Sequence, residues 1–297
     1  MWSRRLPLSR VRCAVFFKRQ CVDAEYSGVM TEVAQSYNPE RFKNAARFYT
    51  NGRPTYPKLL AQRVADLVGV SQRHAVLDLG TGPGFLALDF APLAGAVTAV
   101  DPAPEMLREA EQNFAHANAQ IRLVQGSSAA LDPQLGRFRL VTIGRAFHWM
   151  DRAPTLRSLD GLLEPGGAVA LFGEQYPEVS ENAWHADFQA LIDSYSTDDP
   201  ARRQLRTALS HEAILLASAF NHLERVAVLE TRHTPVERFV ARALSFATTW
   251  HGRPGSREED LPHEVRLLLA PHADERGYVR EVIEGQALVA RRTADLT

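Results

Sequence analysis

Cysteine is almost missing from this chain: there are two in 297 residues, Cys13 and Cys21, both within the first thirty positions. The rest of the sequence therefore holds no disulfide framework, no C-x-x-C zinc pair and no thiol nucleophile. An excess of either charge is missing too. With 34 Lys and Arg against 35 Asp and Glu, a net charge of −1, the chain lacks the basic surplus of a general nucleic-acid binder, so nucleic acid is not an expected partner. Long apolar runs are also lacking near the start, where Cys13-Ala14-Val15-Phe16-Phe17 is too short to cross a bilayer; no membrane partner is expected. Finally, there is no H-x-x-x-H or H-x-H pair, and His211, His222 and His233 are spaced across different elements, reading as scattered surface histidines. No metal site is expected.

What is present suits a globular enzyme. At 45% hydrophobic residues the chain can bury a sizeable core, as one large α/β domain with an appendage or as two small domains. Arg4, Arg5, Arg10, Arg12, Lys18 and Arg19 precede the first acid, Asp23. Three readings of that stretch compete, a poorly ordered leader, a transit-like address and a secretory signal; residues 1–30 are expected to be a leader, with Met30 a possible true start and the protein cytoplasmic. From Tyr37-Asn38-Pro39-Glu40-Arg41-Phe42 to Gly52-Arg53-Pro54-Thr55-Tyr56-Pro57, proline punctuation argues for a segment lying over a sheet. Leu59, Leu60, Val64 and Leu67 recur at helical spacing.

The richest segment is Val76-Leu77-Asp78-Leu79-Gly80-Thr81-Gly82-Pro83-Gly84, a buried strand running into a glycine turn that opens a helix. Gly80, Gly82 and Gly84 give G-x-G-x-G, whereas the dinucleotide fingerprint places its third glycine where this chain has Phe85. Asp78, inside the strand end, needs a donor or a cation to offset its burial. Val97 to Asp101 reads as the next strand, Pro104 opens a helix, and strands follow at Ile121–Val124, Phe138–Ile143 and, after Leu163-Glu164-Pro165-Gly166-Gly167, through Phe172.

This ordered set, over roughly residues 75–174, resembles the class I S-adenosylmethionine-dependent methyltransferases. The Tyr49-to-Pro57 stretch and A-F-H-W-M-D at Ala146–Asp151 are similar to small-molecule members of the methyltransferase type 11 kind, such as trans-aconitate methyltransferase. The resemblance implies a Rossmann-like α/β fold with a seven-stranded, mostly parallel sheet in order 3-2-1-4-5-7-6. Strand 7 would run antiparallel, helices would cover both faces, and a small helical cap would sit above. Core residues are expected at about 57–174, the cap at about 175–220 and 235–280, and strands six and seven at about 222–233 and 285–293, all within a domain of residues 31–297.

It also implies S-adenosyl-L-methionine as cofactor, held by Asp78, Gly80, Thr81, Gly82, Gly84, Asp101, Pro102, Met106, Ser127 and Ser128, with Asp101 on the ribose. Where family members often carry an acid after strand three, this chain has Gly126-Ser127-Ser128-Ala129. Arg53 and Arg145 can each make paired bonds to a carboxylate, on the cofactor's amino acid or on an acceptor, and Tyr49 accompanies Arg53. Each arginine also reads as a surface residue in an ordinary ion pair. His148 reads as a base for a hydroxyl acceptor or as a structural histidine after strand four. Trp149 reads as packing.

In the cap, Trp184, Phe188, Leu191, Ile192 and Tyr195 form a stripe suited to helix packing or to a pocket wall. Val226–Thr231 reads as strand six and Ala287–Ala290 as the last strand. Between them come a helix over Phe239–Trp250, a loop at His251–Gly255 and a short helix over Glu264–Leu269. The expected function is methyl transfer to a small-molecule acceptor at carboxylate or hydroxyl oxygen. The alternatives are a non-catalytic S-adenosylmethionine-binding protein of the same fold and, distantly, an NAD(P)-dependent oxidoreductase.

Overall fold

Val76, Leu77, Asp78 and Leu79 are all buried, as expected of a strand covered on both faces. They belong to β1 (Ala75–Leu79), the middle of a sheet seen in a computed structural model that describes residues 46, 48–196, 209–246 and 259–295. The leader, the stretch from Tyr37 to Phe42 and the loop at His251–Gly255 lie outside the described residues. The sheet continues with β2 (Ala96–Asp101), β3 (Arg122–Gln125), β4 (Phe138–Gly144), β5 (Leu163–Gln175), β6 (His222–Pro235) and β7 (Tyr278–Arg291). Its order is β3-β2-β1-β4-β5-β7-β6. Strands β1 to β5 pair in parallel, and β7 is antiparallel to both its neighbours.

Successive side chains of each strand serve opposite faces. Val76, Ala99, Leu140 and Ala170 join one core with α1 (Lys58–Val68), α2 (Phe85–Phe90) and α3 (Pro104–His116). Leu77, Val100, Val141 and Leu171 join the other, with α4 (Arg152–Asp160) and α6 (His211–Leu216). Between these last two helices lies α5 (His185–Tyr195), which with α7 (Val236–Leu244) and α8 (Leu261–Leu269) builds a third core around Trp184 and Phe239, whose rings meet edge to face at 4.8 Å.

Three expectations need correction. The stripe of α1 is Leu60, Ala61, Val64, Ala65 and Val68, while Leu59 is 49% exposed. Small alanines let this helix lie close to the sheet, and counting only large aliphatics rotates the buried face by a residue. Strand β6 lies close to its expected bounds, but β7 begins at Tyr278, well before the expected 285, and pairs with β6 from His222↔Arg291 to Pro235↔Tyr278. As an edge strand β6 keeps much of its side-chain surface wet, so hydrophobicity marks only its middle. Helix α7 begins at Val236 and stops at Leu244, short of the expected Trp250, and α8 starts earlier than expected, at Leu261.

Candidate functional site

Strand order reverses beside β1: the chain steps outward to β2 and β3, then returns across β1 to β4. Such a switch point leaves a crevice at the carboxyl ends of the strands. Here it holds a cavity of about 920 Å³. Of the residues singled out in the sequence, Tyr49, Arg53, Gly80, Gly82, Asp101, Pro102, Met106, Ser127, Ser128, Arg145 and His148 all line it.

The glycine turn works through its backbone. Gly80, Gly82 and Gly84 have φ of 71°, 55° and 84°, a region that side chains other than glycine's enter at a cost. A Cβ on Gly82 would meet nothing within 4 Å, whereas one on Gly84 would lie 2.3 Å from the Phe114 ring. Gly82 thus presents bare backbone to the cavity, while Gly84 lets α3 pack closely. Gly84 does not line the large cavity, and neither do Asp78 and Thr81.

Asp78 is 1% exposed. Its carboxylate accepts from the Thr81 hydroxyl (2.6 Å), the Thr142 hydroxyl (2.8 Å) and the Ala87 amide (3.2 Å). It ties strand, turn and helix together beneath the site. Burial nevertheless pushes its pKa up to about 6. Asp101, at the end of β2, accepts from the Gly82 and Ala103 amides, each at 2.9 Å, and burial pushes it to about 6 as well. Unlike Asp78 it faces the cavity. Ser127 accepts from the Ala129 amide and so caps a short 3₁₀ turn on the cavity wall.

The two arginines differ. Neither is a surface arginine in an ordinary ion pair. Arg145, at the unusual φ of 55°, donates to Glu174 Oε1 (3.1 Å) and to the Pro54 carbonyl (3.0 Å), so its charge is already met. Arg53 has no carboxylate partner among the described residues, and its Nε is buried without a hydrogen-bond acceptor. Its guanidinium carbon lies 3.9 Å from the Phe246 ring centroid and 5.4 Å from that of Tyr49. Burial pulls its pKa below the usual arginine value.

From the end of β5 onward the cavity is walled by residues given no site role from the sequence, among them Glu174, Arg225, Phe246 and Gln286. His211 was read as a surface residue; it packs edge-on against Phe147, 5.2 Å between centroids, with Nδ1 buried and unpartnered. No spacing in the sequence joins β6, β7 and α6 to β4, so nothing short of folding could have found these residues. The aromatic stripe divides: Trp184 and Phe188 are cap core, and Ile192 reaches the cavity. Among the described residues no cluster of His, Cys, Asp or Glu could hold a metal ion, and no helix is long and apolar enough to cross a membrane.

Comparison with known proteins adds to this geometry. A family described as "Methyltransferase domain" matches residues 76–167. A protein of Mycobacterium bovis, described as an uncharacterized methyltransferase, is 31% identical over 233 residues, covering 78% of this chain and 86% of the relative. A similarly described protein of Schizosaccharomyces pombe is 29% identical over 131 residues, covering 44% of this chain and about half (51%) of the relative. Among solved structures, a putative type II methyltransferase from Anaeromyxobacter dehalogenans aligns with a TM-score of 0.53 at 19% identity, over 81% of this chain and 97% of that one, a likeness of fold.

Proposed function

The chain belongs to the class I S-adenosylmethionine-dependent methyltransferases, and from that premise we propose that it methylates a small-molecule acceptor at oxygen. The observation that carries the reading is one cavity joining the Gly80–Gly82 turn and Asp101 to His148 and Arg53. The residues fit the donor. Bare backbone at Gly82, an acid at Asp101 and an uncompensated cation at Arg53 answer a molecule with a ribose at one end and a carboxylate at the other. In this reading Asp101 accepts from the ribose hydroxyls, Pro102, Met106, Ser127 and Ser128 wall the base, and Arg53 with Tyr49 meets the amino-acid carboxylate. Asp78, Thr81 and Gly84 keep the turn in shape from behind.

The bound donor supplies an activated methyl group on a sulfonium. The protein's part is then to align the acceptor oxygen and exclude water. A carboxylate acceptor needs no base. For a hydroxyl acceptor, His148 takes the proton, imidazole being the side chain best suited to accept and return a proton at neutral pH. Arg145, neutralised by Glu174, shapes the β4 rim instead of binding the acceptor through its charge. Fold-preserving binding without turnover and nicotinamide chemistry are separated from this reading by experiment. Calorimetry should show S-adenosylmethionine bound in preference to NAD(H), and a panel of carboxylic acids and phenols should release S-adenosylhomocysteine. Turnover confined to amines would sink the oxygen assignment. With a phenol or alcohol, His148→Ala should lower kcat by about a hundredfold or more; near-full turnover would remove His148 from proton transfer.

A further inference from the structure

Buried charge outside the reacting residues is concentrated where β6 and β7 run on past the end of β5. There Arg242 of α7 and Glu281 of β7, with side chains 5% and 1% exposed, form a two-pronged ion pair: Nη1 to Oε2 at 3.0 Å and Nη2 to Oε1 at 3.1 Å. The Thr234 hydroxyl donates to the same carboxylate, and Arg242 Nη1 also donates to the Tyr176 hydroxyl at 2.9 Å. Desolvating such a pair costs about as much as its attraction returns, so its worth lies in geometry more than in stability. That geometry reaches the site. Arg242 Nε lies 3.4 Å from the Gly52 carbonyl, and Arg238 Nε donates to the Asn51 carbonyl at 3.2 Å. Gly52 is pressed onto α7: a Cβ there would lie 2.4 Å from the Ala241 carbonyl carbon and 2.5 Å from the Arg242 nitrogen.

The next residue is Arg53, whose guanidinium rests on Phe246, just past the end of α7. Backbone and side chain of this segment are thus both referenced to one helix. Arg53, Arg145 and Arg242 face Glu174 and Glu281, which leaves one positive charge over, on Arg53. An unpaired guanidinium repelled by two others would turn toward water unless held.

We propose that Gly52, Arg242 and Glu281 are positioning residues that lock the helical segment 48–52 against α7 and thereby aim Arg53 at the donor's amino-acid carboxylate. The proposal rests on the reading of Arg53 given above. Two probes separate the ideas: S-adenosylhomocysteine, which carries the carboxylate, and 5′-methylthioadenosine, which lacks it, both titrated calorimetrically into the full chain. Arg53→Met should weaken the first about tenfold or more, the scale of one charge-assisted hydrogen bond, and spare the second. Gly52→Ala and Glu281→Gln should do the same, and Gly52→Ala should add nothing in the Arg53→Met background, as a shared route requires. If Arg53→Met spares both probes, the reading of Arg53 falls and this proposal with it. If Arg53→Met acts as expected but Gly52→Ala leaves both probes unchanged, or weakens both alike, the lock alone falls. Melting curves establish that each variant folds; should Glu281→Gln not fold, Gly52→Ala decides.

Discussion

Asp78 and Asp101 end neighbouring strands with the same side chain and similar burial, and their surroundings give them different work. Asp78 is enclosed by two hydroxyls and an amide, while Asp101 shares its oxygens between two amides and the cavity. Burial makes both harder to ionise than in the unfolded chain, with pKa values near about 6. The native state therefore holds more protons than the unfolded chain between about pH 4 and about pH 6, and stability falls as pH rises through that window. Asp101→Asn removes one of these groups. Thermal melts should show a smaller loss of stability across the window than in the parent, by up to about 3 kcal/mol; an unchanged loss would mean that Asp101 titrates as it does in the unfolded chain. At this scale the sequence singled out residues with a motif around them, such as Asp101, which lines the cavity. It was silent for Glu174 and misread His211, both placed by neighbours distant in the chain.

At the scale of elements, the turn from β1 to α2 has glycines that look alike in sequence and differ in space. Gly84→Ala drives a Cβ into Phe114 at a φ of 84°, and should destabilise the fold by about 2–4 kcal/mol through overpacking and backbone strain. Gly82→Ala meets open space, so it should cost only the strain of its φ, about 1 kcal/mol, while intruding on donor binding. Chemical denaturation read beside calorimetry separates the two. Equal losses of stability would contradict the packing difference. Strands β1, β2, β4 and β5 were readable because burial on both faces writes them as apolar runs, whereas β3 shows only Leu123 and Val124, both half-buried. The early start of β7 was not readable, because its first half is specified by pairing with β6 and by contacts such as Asn182 with Val282 (2.8 and 2.9 Å). The face of α1 was misread because alanines at Ala61 and Ala65 carry little weight in a hydrophobic pattern and much in close packing.

For the whole molecule, the cavity wall is drawn from both ends of the described chain, from Tyr49 to Leu288. A ligand that binds only the folded state should raise stability by about 2.7 kcal/mol at a hundred times its Kd. For a chain of this size that is a rise in Tm of roughly 4 °C. S-adenosylmethionine should produce it and NAD(H) should not, as a thermal-shift titration would read directly; equal shifts would overturn the donor assignment. The sequence by itself determined the run of apolar strands and the glycine turn after β1, which depend on local spacing along contiguous segments, and the resemblance those segments carry implied the sheet order and the cofactor. Tertiary structure alone decided that Asp78 lies beneath the site, that Arg145 is neutralised and Arg53 is not, and that α7 grips Gly52. Charge compensation and close approach belong to pairs of residues brought together across the chain, and no local pattern records them.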